Sequence, residues 1–118
     1  MKTAILGYRT KNLGDDMQAI SAAAHLPWID TIVHRDRLDA ARLTEPHLTI
    51  MASWFLVRNW KRLPASEIVP LFYGFCLGRD ELLETAWRGY LGSHAPIGAR
   101  DTRTVTKLSE TGIEAFRT

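Results

Sequence analysis

The sequence has a single cysteine, Cys76, so no disulfide can form within the chain and no disulfide framework organises the fold. One thiol in an apolar run reads as an inert core residue and fits a reducing, cytoplasmic setting. No stretch approaches the ~20 apolar residues needed to cross a membrane. The apolar start, residues 1–7, is too short for a signal-peptide core and lacks a small-residue cleavage pattern. Charge of one sign is scarce as well. Fifteen Lys and Arg against thirteen Asp and Glu leave +2, with acids and bases interleaved. No basic stripe points to nucleic acid. His25, His34, His47 and His94 have no pairing at metal-ligand spacing, so no metal site is implied. Neither a Gly-x-Ser-x-Gly elbow nor a dinucleotide or Walker A loop occurs, and internal repeats are missing.

What is present is an ordinary globular composition. The 118 residues, 46% hydrophobic and 24% charged, suffice for one domain with a genuine core, residues 1–118. Apolar runs alternate with helical patterns, which predicts an α/β fold: an open parallel sheet with helices on both faces. The strands are expected at 3–8, 28–34, 47–52, 70–77, 95–99 and 113–118. Helices are expected from Asp15 to the residues before Pro27, then at 36–43, 80–90 and 101–110. In the first helix Met17, Ile20, Ser21 and Ala24 share one face. Residues 53–69 show no period and read as a long loop. The last strand has no helix to cover it, so the domain is expected to be truncated at its C-terminal end and open to self-association.

Ligands of open α/β sheets bind beyond the carboxyl ends of the strands, and four segments fall there. The first joins strand one to helix one and contains Asn12, Gly14, Asp15 and Asp16. Gly14 permits a tight turn, and the two carboxylates face the positive helix end, contributing ~0.3–1 kcal/mol each. They suit a hydroxyl-rich ligand better than a phosphate, although a well-capped helix would look the same. The second is Arg100-Asp101, where Asp101 is an N-cap residue and Arg100 stands beside it. The third is His34, an acid or base at a strand end. The fourth is the loop from Trp54 to Pro64, whose aromatic faces and cationic tips suit a sugar ring or a flap packed on the sheet.

Together these segments resemble the polysaccharide pyruvyl transferase family. The resemblance is carried by Asn12-Leu13-Gly14-Asp15-Asp16-Met17-Gln18, His34-Arg35-Asp36-Arg37-Leu38, Ser53-Trp54-Phe55 with Trp60 and Pro64, and Pro70-Leu71-Phe72. Pro96-Ile97-Gly98-Ala99-Arg100-Asp101-Thr102, with Thr104, Leu108 and Gly112-Ile113, completes it. Ala52-Ser53 stands where the family has Asn-Gly, and Ala99 where many members have Cys. The resemblance implies the Rossmann-like half of a GT-B-type two-domain fold. It implies transfer of the pyruvyl unit of phosphoenolpyruvate, the donor substrate, onto two hydroxyls of a glycan acceptor as a ketal, with no further cofactor. Such a reaction needs an acid for the methylene carbon, a base for the hydroxyls, and cations for carboxylate and phosphate. Much of the basic donor pocket is implied to lie in a C-terminal half. This chain is therefore expected to be the N-terminal, acceptor-facing wall, inactive alone. Asp15, Asp16 and Arg100 would be catalytic, and Asn12, Gly14, His34, Trp54 and Asp101 would bind substrate. The alternatives are a stand-alone sugar- or anion-binding α/β module without catalysis, and a fragment that survives by pairing with another chain.

Overall fold

The strands expected from the apolar runs assemble into parallel β-structure. In the computed structural model the backbone is described for residues 1–7, 13–55 and 62–118, and the side chains for the same residues apart from 13–16. Four strands form a parallel sheet in the order β2-β1-β3-β5: β1 (Lys2–Gly7), β2 (Thr31–His34), β3 (His47–Ile50) and β5 (Ile68–Leu71). β4 (Trp54–Phe55) pairs in parallel with β6 (Cys76–Leu77), and β7 (Ile97–Ala99) with β8 (Ala115–Arg117). Backbone hydrogen bonds join the three groups. Cys76 N–H donates to Ser53, Gly98 N–H to Phe72 and Phe75 N–H to Gly98, and Phe75 pairs in parallel with Ala99. All strand ends therefore point the same way.

The run 70–77 is not one continuous strand. Three residues separate Ile50 from Trp54, whereas four separate Leu71 from Cys76, so one extra residue must be absorbed between the paired segments. Gly74 takes it up at φ +79, a conformation that side chains resist. The strand expected at 28–34 begins only at Thr31. Before it, Asp30 turns its carboxylate back onto β1, accepting from Thr3 N–H at 2.8 Å. Part of the loop expected at 53–69 is regular, since β4 and the start of β5 lie in it; residues 56–61 lie outside the described part.

α1 (Leu13–Ala23) starts two residues earlier than expected and ends before Pro27. Its supposed core face is turned outward, with Met17 and Ile20 61% and 70% exposed. The helix packs on β1 through small side chains instead: Ala22 is buried, and Ala19 and Ala23 are half-buried. The segment expected as a helix at 36–43 is a 3₁₀ helix, Arg35–Ala40, interrupted at Arg37 (φ −137, ψ 39). The helix expected at 80–90 is likewise split into a 3₁₀ turn, Asp80–Glu84, and α2 (Trp87–Ser93). Thr85 divides them: its hydroxyl donates to the Leu82 carbonyl and accepts from Trp87 N–H. α3 (Thr102–Glu110) agrees with its sequence signals, with Asp101 as N-cap and Gly112 at φ +80 beyond its end.

The core joins Ala4, Leu6, Val33, Met51 and Ile68 of the sheet region to Leu38, Leu82, Trp87, Leu91 and Leu108. Ala22 of α1 is buried outside this cluster. β2 and β3 flank β1 on opposite sides, so right-handed crossovers place α1 on one face and the Arg35–Ala40 segment on the other. The Cα radius of gyration, 13.3 Å, matches the ~13.5 Å of a compact chain of this length.

Candidate functional site

The carboxyl edge of the strands carries most of the segments singled out in the sequence. β2 ends at His34, β1 leads toward α1, β4 ends at Phe55, and β7 leads to Arg100. The Arg100 turn thus lies on the same edge as the start of α1. Three strand spacings, or ~14 Å, separate β1 from β7 along that edge. Gly14, Asp15 and Asp16 fall within the first turn of α1, and Asn12 lies outside the described residues.

One group forms where the β2 turn meets β4. His34 is the N-cap of the 3₁₀ helix, with Nδ1 accepting from Asp36 N–H at 3.1 Å. A neutral imidazole holding that bond carries its proton on Nε2. Nε2 is buried and has no hydrogen-bond partner among the described residues. Arg35 is itself buried, at 7% exposure, and pairs with Asp36 through Nε at 3.2 Å. It also donates toward Ser53 Oγ at 3.4 Å and the Trp54 carbonyl at 3.5 Å, the outer limit of hydrogen bonding. Arg35 therefore brings His34 and Trp54 into one neighbourhood. The Trp54 ring is 45% exposed, while fully buried Ser53 lies beneath the turn.

A second group surrounds the start of α3. Asp101 accepts from Thr104 N–H at 2.8 Å, Thr104 Oγ1 at 3.0 Å and Cys76 Sγ at 3.1 Å. Burial disfavours the Asp101 carboxylate, but these bonds and the nearby Arg100 charge outweigh it and hold the pKa below the usual range. Burial, aided by the bond to Asp101, pushes the Cys76 thiol up, which keeps it protonated and a poor nucleophile. Arg117 closes over the turn, donating to the Arg100 carbonyl at 2.8 Å and Thr102 Oγ1 at 3.0 Å. Arg103 donates to the Leu77 carbonyl at 2.9 Å and pairs with Asp80 beside an open depression of about 310 Å³. Since Ser53 accepts from Cys76 N–H, one backbone bond links the two groups.

Asp101 is thus committed to capping and to Cys76, and Arg100 is exposed beside it, as are Arg103 and Arg117. Arg35, part of the His34–Leu38 stretch in the sequence, joins that turn to Ser53 and Trp54 in the structure. Strand alternation gave a usable signal, because Arg35 lies two positions beyond buried Val33 and so on the same side. No group of three or more His, Cys, Asp or Glu is arranged to hold a metal among the described residues. No helix among them is long and apolar enough to cross a membrane. Compared with family models, curated proteins and solved structures, the chain matches none of them.

Proposed function

We propose that this chain is the acceptor-facing, Rossmann-like unit of a polysaccharide pyruvyl transferase with a GT-B-type architecture. The observation that carries the reading is the shared carboxyl edge. The α1 start, His34, Trp54 and Arg100 all belong to it. Exposed Trp54 supplies a face for a sugar ring and Arg100 a positive charge, with His34 capping the turn beside them. Asp15 and Asp16, at the start of α1, are the carboxylates assigned to the acceptor hydroxyls. Phosphoenolpyruvate is held mainly by a second, basic half.

A binding module without catalysis is the second reading. It needs only the exposed Trp54 and Arg100 of this edge, and does not require Asp101, which is committed to Thr104 and Cys76.

Saccharide affinity of the chain and of its Trp54→Ala and His34→Ala variants tests both readings, with phosphate release from phosphoenolpyruvate followed in the same samples. Each substitution is expected to weaken saccharide binding by about tenfold, the equivalent of one buried contact of ~1.4 kcal/mol. The chain alone is expected to release no phosphate. Affinity unchanged in both variants would remove the carboxyl edge as the acceptor site. Saccharide-dependent phosphate release would show that no second half is needed.

A further inference from the structure

The opposite, amino edge of the sheet carries a depression of about 320 Å³ that the carboxyl-edge reading does not use. It is lined by Met1, Lys2, Trp28, Asp30 and Glu45. Trp28 is 56% exposed, yet its ring is not free to turn, because Nε1–H donates to Asp30 Oδ2 at 3.0 Å. Asp30 is anchored in turn by Thr3 N–H at 2.8 Å. That backbone bond, with help from Trp28 and Lys2 and against the cost of burial, holds its carboxyl below the usual carboxylate range. On the far side, His47 Nδ1 lies 2.8 Å from the Glu45 carbonyl and fixes that loop. Aromatic face and polar groups are therefore positioned before any ligand arrives, which reduces the ordering cost of binding.

The polar groups select among ligands. Lys2 Nζ lies between Asp30 at 3.6 Å and Glu45 at 3.9 Å. Both separations exceed the ~2.7–2.9 Å of a close ammonium–carboxylate bond, so donors and acceptors remain available to a third party. A cationic ligand would have to displace Lys2, and an anionic one would face two carboxylates. A neutral ring bearing hydroxyls, each both donor and acceptor, satisfies the mixture while its apolar face lies on the indole. We propose that the Trp28–Asp30–Glu45–Lys2 depression is a saccharide-binding subsite for a neutral sugar ring, on the sheet edge opposite the candidate acceptor site.

The test is a site-resolved NMR titration of the full chain with a panel of neutral hexose, deoxyhexose and N-acetylhexosamine oligosaccharides. At least one member is expected to shift the Trp28 indole N–H and the Lys2, Asp30 and Glu45 amides saturably. Trp28→Ala should weaken that binding by about tenfold or more, and the milder Glu45→Gln by about threefold, with both variants melting as the parent does. If no member moves these signals saturably, or if their shifts survive Trp28→Ala, the subsite is wrong. A tetramethylammonium probe moving Trp28 when the sugars do not would overturn it in favour of a cation site. His34, Trp54 and Arg100 report the carboxyl edge in the same spectra, so failure at one edge is read separately from failure at the other.

Discussion

The Tyr90 hydroxyl is buried and has no hydrogen-bond partner among the described residues, while its ring packs against Trp87 and His94. An unpaired buried hydroxyl costs stability, and its removal without loss of ring packing recovers part of that cost. Tyr90→Phe is therefore expected to stabilise the fold by about 1 kcal/mol in urea denaturation. Burial also pushes the Tyr90 phenol from 10.0 up to about 12. Between these values the unfolded chain loses the proton first, so this group's contribution is intact below pH ~10 and is lost as pH rises toward ~12. The Phe variant should lack that alkaline decline. A destabilised variant with the same alkaline profile as the parent would show that the hydroxyl is paired and the assignment mistaken.

At the scale of elements, the junction of β5, β6 and β7 depends on a close approach at Gly98. A Cβ there would lie 2.8 Å from the Phe72 carbonyl oxygen and 2.8 Å from Thr118 Cγ2. Gly89, exposed on α2, would meet nothing within 4 Å. Gly98→Ala is expected to cost roughly 2–3 kcal/mol by overpacking. Gly89→Ala is expected to gain roughly 0.5–1 kcal/mol from helix propensity. Equal thermal shifts in the two variants would contradict the packing described for β7. The same region shows what the sequence made legible. β1, β3 and α3 could be read because apolar runs and an Asp cap act locally. The break at Gly74 could not, because it depends on a one-residue difference in length between paired segments far apart in sequence. α1 was misread for a related reason. Its outward Met17 and Ile20 have helical spacing, but close packing on β1 favours the alanines. Among the site residues, the cap at Asp101 was legible locally, whereas the Arg35 contacts to Ser53 and Trp54 require knowledge of strand order.

Across the whole molecule, the two sheet faces are unequally covered. Val33 and Ile68 point into the core, while Ile32 and Leu71 on the other face are 65% and 47% exposed. Phe116, on the outer strand β8, is 45% exposed. Apolar surface of this kind, beside strand edges that have no partner strand among the described residues, favours association. Light scattering over a concentration series is expected to show an apparent mass rising above the 13.4 kDa of one chain. A mass constant at that value would show that the exposed side chains do not pair.

Whether the carboxyl edge receives a glycan acceptor, as proposed, is decided by a titration with matched ligands. The chain, labelled for NMR, is titrated with a methyl hexopyranoside bearing free 4- and 6-hydroxyls, then with the same sugar carrying a 4,6-pyruvyl ketal. Both acceptor and product are expected to shift the signals of His34, Trp54 and Arg100 saturably, and the ketal carboxylate should move Arg100 further. Signals at these three residues that stay fixed with both ligands would remove the carboxyl edge as the acceptor site.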